Sequence, residues 1–217
     1  MSPDMMPLLI DATKETMYMV GISGFIATIL GIPLGIILVI TGRGHIMENV
    51  PFNSVLGSVV NALRSTPFII LMIAIIPLTR FIVGTSIGTV AAIVPLSVAA
   101  IPFMGRIAET SLNEVDKGVI EAAKSMGASV WQIITKVLIP ESLPGLTLGV
   151  TITIISLIGY SAMAGVIGGG GLGDLAIRYG FQRFQTEVMI ATVIVLIIQV
   201  QLVQSVGNYL ARKLNKK

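Results

Sequence analysis

Five stretches of the chain run for about twenty residues with almost no charge: about Met17 to Thr41, Val55 to Leu78, Ile87 to Met104, Pro144 to Ile167 and Val188 to Val206. A helix needs roughly 20 apolar residues to cross about 30 Å of hydrocarbon, and it satisfies its own backbone hydrogen bonds on the way. The pattern predicts an all-α, polytopic membrane helical bundle of five transmembrane helices, one unit over residues 1–217. Gly31 and Gly35 stand in GxxxG spacing, which permits close helix approach. Pro33, Pro67, Pro95, Pro102 and Pro144 predict kinks or helix starts.

Between the third and fourth stretches lies a polar island, about residues 116–140, that is helical in pattern. Val119, Ile120, Ala123 and Met126 form an apolar face, with Glu121 and Lys124 on the wet side. Gly127 sits where a helix stops in the left-handed conformation, which a residue without a Cβ adopts freely. Ser129 and Gln132 have the spacing of a capping box for a second helix. Val130, Ile133, Ile134, Val137 and Leu138 then recur at i, i+3, i+4, i+7 and i+8, and Pro140 is expected to end that helix. The island reads as two short helices at an angle.

Charge orients the bundle. Arg43, then Arg106, Lys117, Lys124 and Lys136, then Arg212, Lys213, Lys216 and Lys217 fall on one side of the five spans, against Lys14, Arg80, Arg178 and Arg183 on the other. The side richer in Lys and Arg is expected to be cytoplasmic, which gives an N-out, C-in topology. Composition agrees with a membrane protein, with 54% hydrophobic and 12% charged residues. The net charge of +3 is dispersed along the chain, which argues against nucleic acid. No cysteine is present, so disulfides and thiol chemistry are excluded. The acidic start, with Asp4 and Asp11, does not resemble a cleaved signal peptide.

Short helices are marginal alone, so the island needs a surface. Lipid headgroups and DNA are both disfavoured by Glu114, Asp116, Glu121 and Glu141 set against Lys117, Lys124 and Lys136. A groove in a cytoplasmic partner suits apolar knobs and small residues better, with headgroup docking as the alternative.

The segment "EAAKSMGASVWQIITKVLIPESLPG" resembles the EAA motif of permease subunits of bacterial ABC importers. Glu121, Ala122, Ala123, Gly127 and Pro140 fall at the motif's spacing, and Ile139 replaces the usual Leu. "ETMYMV", "LRSTPFIILM", "VGTSIGTVAAIVPLSVAAIPF" and "LIGYSAMAGVIGGGGLG" are similar to methionine-importer permeases. The resemblance implies that Glu121, Ala122, Ala123, Met126, Gly127, Ala128 and Pro140 couple to the ATPase. It further implies a second copy of the chain, two ATP-binding cassette subunits, and an external substrate-binding lipoprotein that delivers methionine at the bacterial cytoplasmic membrane. ATP and Mg2+ would sit in the partner ATPase, with no cofactor on this chain. The alternatives are a permease for another small amino acid or solute, and a membrane scaffold or sensor that recruits a cytoplasmic partner.

The remaining candidates are read from the residues. Arg64 falls inside the second stretch, roughly 20 Å of helix from Pro77, so it either snorkels to the inner interface or lines the inner mouth of a pathway. Ser156, Tyr160, Ser161 and Met163 gather in the fourth stretch as a translocation pathway or gate, or as ordinary bundle packing. Gly168, Gly170 and Gly173 match a dinucleotide fingerprint in spacing but lack its strand-turn-helix context, so the run is read as a flexible turn or an outer-mouth hinge. No phosphate-binding P-loop occurs. His45 is the sole histidine and is read as a surface residue, so neither a metal site nor a catalytic triad can be assembled. Arg106 and Glu109, three apart, are expected to pair.

Overall fold

The computed structural model describes residues 5–215, so Asp4, Lys216 and Lys217 of the charge pattern lie outside the described residues. The elements run α1 (Met5–Ile40), α2 (Val50–Ser65), α3 (Phe68–Ala74), α4 (Ile76–Val83), α5 (Thr89–Asn113), α6 (Lys117–Ser125), α7 (Val130–Ile133), α8 (Ile139–Val166), α9 (Gly171–Leu175) and α10 (Thr186–Leu214). π-helical turns at Ile134–Leu138 and Ala176–Phe181 join α7 to α8 and lead out of α9. The described residues contain no strand, as the apolar pattern predicts.

Four uninterrupted spans are long and apolar enough to cross a membrane: Met5–Ile40, Thr89–Asn113, Val130–Val166 and Thr186–Leu214. The fifth expected span is broken. Instead of one helix over 55–78, α2 and α3 meet at a bend of 103°. Pro67 offers no N–H and pushes the residue before it out of the helical region, and Thr66 accordingly takes φ −78 and ψ 123. Pro95, Pro102 and Pro144, in contrast, are carried inside α5 and α8 without ending either helix.

A second correction concerns Pro140, which does not end the helix begun at Val130. The chain widens into a π turn, where the Ile139 N–H reaches back to the Ile134 carbonyl. Pro140 can donate no hydrogen bond, and in a regular α-helix its ring would press on the carbonyl four residues back. One wider turn relieves that clash and lets the helix run on to Val166. The second of the two short helices is therefore the tip of a continuous helical rod about 55 Å long, taking 1.5 Å per residue over the span Val130–Val166.

In hydrocarbon the hydrophobic effect does not drive helices together, so packing does. The α1 and α5 helices make the most extensive contact. A Cβ added at Gly35 would stand 2.6 Å from the Ala108 Cβ and 2.7 Å from the Gly105 carbonyl, so only glycine allows this approach. Around that seam Met19, Leu96, Met104 and Leu157 are fully buried. Smaller apolar clusters close the two ends of the bundle. One joins Val39, Leu112, Ile120, Ile133 and Leu138, and the other joins Met5, Leu9, Leu172 and Val188.

Candidate functional site: a coupling face and the rod behind it

Local signals build the island. Asp116 caps α6 by accepting the Gly118 N–H at 2.6 Å. At its far end Gly127 takes φ +78, the Gly127 N–H donates to the Lys124 carbonyl at 2.9 Å, and the Ala128 N–H donates to the Ala123 carbonyl at 3.1 Å. These paired bonds form a Schellman motif, closed by the apolar contact of Ala128 with the cluster that holds Ala123. The capping box forms in full: the Gln132 N–H donates to the Ser129 Oγ at 3.3 Å, and the Ser129 N–H donates to the Gln132 Oε1 at 2.8 Å.

The expected apolar face of α6 divides. Ile120 and Ala123 are buried against the ends of α1 and α5, while Val119 and Met126 turn outward. The outer surface thus carries Glu121, Ala122, Met126 and Gly127, all exposed, with Ala128 half-buried and Pro140 exposed at the head of α8. Met126 is 81% exposed and beside it in sequence Trp131 is 72% exposed, which makes them the two prominent knobs of the face. Trp131 is absent from the sequence candidates. Its signal was present, since it falls off the stripe of Ile133, Ile134, Val137 and Leu138 and so must face away from the bundle.

The loop between α1 and α2 packs beside this face. His45 is half-buried there, and burial followed by the positive charges of Lys117 and Lys124 lowers its pKa below the ordinary histidine value.

Along α8, Ser156, Tyr160 and Met163 share one face at i, i+4 and i+7 spacing. Met163 is exposed, and the Tyr160 ring stacks on Phe68 with centroids 4.8 Å apart and planes 9° apart. Ser161 does not join them: it is 2% exposed and its hydroxyl donates to the Ile158 carbonyl at 2.7 Å. Arg64 lies in the last turn of α2, a favourable place for a cation, and its guanidinium carbon stands 5.8 Å from the centroid of the Phe103 ring. Because the helix breaks two residues on, the straight-rod distance to Pro77 does not apply to it. Arg106 and Glu109 do pair, at 2.5 Å, and Arg106 also donates to the Gly57 carbonyl at 2.8 Å, which ties α2 to α5.

At the opposite end the glycine run is an ordered plug and not a loose turn. Gly171 through Leu175 are all buried. The Glu15 carboxylate accepts the Gly171 N–H at 2.6 Å, the Thr16 Oγ1 accepts the Leu172 N–H at 2.9 Å, and the Gly88 N–H donates to the Gly168 carbonyl at 2.9 Å. Asp174 pairs with Arg178 one turn later. Neither Glu15 nor Thr16 can be picked out from sequence, because their partners lie 156 residues away. No group of three or more metal-ligating side chains assembles among the described residues.

The family described as binding-protein-dependent transport system inner membrane component matches residues 31–216. A probable D-methionine transport system permease protein MetI of Vibrio cholerae is 55% identical over 210 residues, covering 97% of this chain and 93% of that protein. The methionine import system permease protein MetP of Bacillus subtilis is 48% identical over 208 residues, covering 95% of this chain and 93% of that one. A chain of the MetNI methionine ABC transporter, solved in inward-facing conformations, superposes with a TM-score of 0.98 at 46% identity over 100% of both chains. A chain of an amino acid ABC transporter shares the fold, with a TM-score of 0.78 at 19% identity.

Proposed function

This chain belongs to the binding-protein-dependent transport system inner membrane component family, and we propose that it is the permease subunit of an ATP-driven methionine importer of the bacterial cytoplasmic membrane. Two copies form the pathway, two ATP-binding cassette subunits dock on the coupling face, and an external binding protein delivers the substrate. ATP and Mg2+ belong to the ATPase, and this chain binds no cofactor of its own. The N terminus is outside and the C terminus inside, in keeping with the Lys and Arg distribution.

The observation that carries this reading is the coupling face itself. Met126 and Trp131 project beside the small residues Ala122 and Gly127, on a scaffold capped at every end. Bulky knobs flanked by small residues suit insertion into a groove, with close approach of the two surfaces. Because the π turn joins α7 to α8 without a break, force applied at Trp131 is transmitted along one rod to Tyr160 and Met163. Closure of the ATPases on ATP would tilt that rod and rock the two copies between inward-open and outward-open states. Ser156, Tyr160 and Met163 line the route, Ser161 braces the rod from within, and Arg64 stands at the inner mouth.

Reconstitution tests it. The chain is co-expressed with its neighbouring ATPase and placed in proteoliposomes with the matching binding protein. Methionine should stimulate ATP hydrolysis and accumulate in the lumen above other amino acids. Equal uptake of unrelated solutes, or failure of an ATP-binding subunit to co-purify, would sink the proposal.

A further inference from the structure

We infer that the cleft between α2 and the inner half of α5 holds the permeating amino acid, with the Arg64 guanidinium receiving its carboxylate. This rests on the importer reading above. The cleft measures about 300 Å3, at the small end of ligand sites and suited to one amino acid, and it is lined by Arg64, Arg106, Ile107, Glu109, Thr110 and Asn113. Its charges do not balance. Glu109 is engaged by Arg106 at 2.5 Å, whereas Arg64 has no carboxylate partner among the described residues. The Arg106 Nε is in addition buried without an acceptor. Arg64 is exposed and open to an incoming anion, and a planar guanidinium takes a carboxylate with two parallel hydrogen bonds.

The cleft also distinguishes what that anion is attached to. Arg64 is shared with an adjoining recess lined by Leu63, Thr66, Phe68, Ala99, Phe103 and Tyr160. There the Phe68 and Tyr160 rings stack and the Phe103 face lies under Arg64. The recess encloses only about 20 Å3, so an apolar, unbranched side chain, and a thioether above all, would lie across its mouth against the aromatic rings. Glu109 bonds Arg106 through Oε2, which leaves Oε1 to receive an α-ammonium group. A zwitterion with an apolar side chain satisfies all three surfaces at once. Free phosphate would satisfy only the charge.

The test uses the complete transporter in proteoliposomes, with photo-methionine, a diazirine analogue, irradiated during turnover. Label in the wild-type complex should map to residues 63–68 and 99–113. Arg64→Gln should lower both label and initial methionine uptake roughly tenfold or more, the scale of a lost charged hydrogen bond, and Arg64→Lys should recover part of each. Phe103→Leu should reduce the label even if Arg64→Gln fails to assemble. Label elsewhere in the wild type, or label unchanged in the assembled Arg64 and Phe103 variants, overturns the site. A loss of uptake with unchanged label that is reversed by raising anionic lipid makes Arg64 a lipid anchor and also overturns it. If wild-type vesicles show no preference for methionine, it is the importer reading that falls.

Discussion

The two ends of this molecule are built by opposite means. At the polar island every stop and start is local: Asp116 caps α6, Gly127 ends it, and Ser129 with Gln132 opens the next helix, each through partners within a few residues. At the glycine-rich end the backbone is held by Glu15 and Thr16 from a helix 156 residues away in sequence. The island keeps its shape while leaving Met126 and Trp131 in the open. The plug buries its own backbone under α1. The open surface is thus shaped from within, and the buried segment is clasped from across.

The same kind of change at both ends sharpens this contrast most. Gly127 and Gly171 both have left-handed backbones, at φ +78 and +75, but a Cβ at Gly127 would meet nothing within 4 Å, whereas one at Gly171 would stand 2.6 Å from the Thr16 Oγ1. Gly171→Ala should therefore cost about 3 kcal/mol or more, backbone strain plus overpacking, and Gly127→Ala only about 1 kcal/mol, as read from thermal melting in detergent. Similar melting losses at both sites would break the comparison. Next in size, Trp131→Ala should weaken ATPase-subunit association by roughly thirtyfold, the effect of losing a hot-spot anchor of about 2 kcal/mol, with the melting point of the isolated permease unchanged. Glu15→Ala should do the reverse: it should loosen the plug by about 1.5 kcal/mol or more and speed amide exchange at Gly171 and Leu172, leaving subunit association intact.

A smaller loss, about 1 kcal/mol, is expected for Ser129→Ala, and amide exchange confined to the first turn of α7 would check it. Smallest is the effect of acid on the α1–α2 loop. The pKa of His45 is lowered in the folded protein, so the unfolded chain binds its proton more readily and stability falls as pH drops below about 6.5. Melting of the wild type should decline over that window, and His45→Asn should flatten that part of the decline.

Much of this was legible before any coordinates. Four of the apolar runs coincide largely with a long helix each, and the island's capping chemistry was readable residue by residue, because helix stops and starts depend on neighbours three or four positions away. The N-terminal extension of α1 is not marked in the sequence, since Asp11, Lys14 and Glu15 interrupt the apolar run that marks a span. Its first turns are nonetheless held by Met5, Leu9 and Ala12 packing on Leu172, Leu175 and Val188, contacts that no local window contains. Trp131 is not marked either, because an apolar residue off the apolar stripe carries meaning only where the stripe faces the bundle.

The prolines mark the limit of sequence reading most clearly. Pro67 breaks its span by 103°, Pro95 and Pro102 are absorbed in α5, and Pro140 is carried through a π turn. Each removes the same N–H and threatens the same clash, so composition alone cannot rank them. Tertiary packing decides which freed carbonyls are accommodated, and thus which helix breaks and which runs on. The sequence by itself determined that the chain is built of apolar helices and how the island's helices are capped, because those follow from periodicity and short-range hydrogen bonding. Only the three-dimensional arrangement decided that Trp131 and Tyr160 lie on one continuous helix, and that Arg64 shares a cleft with Arg106 and Glu109, because both depend on contacts between segments far apart in the chain.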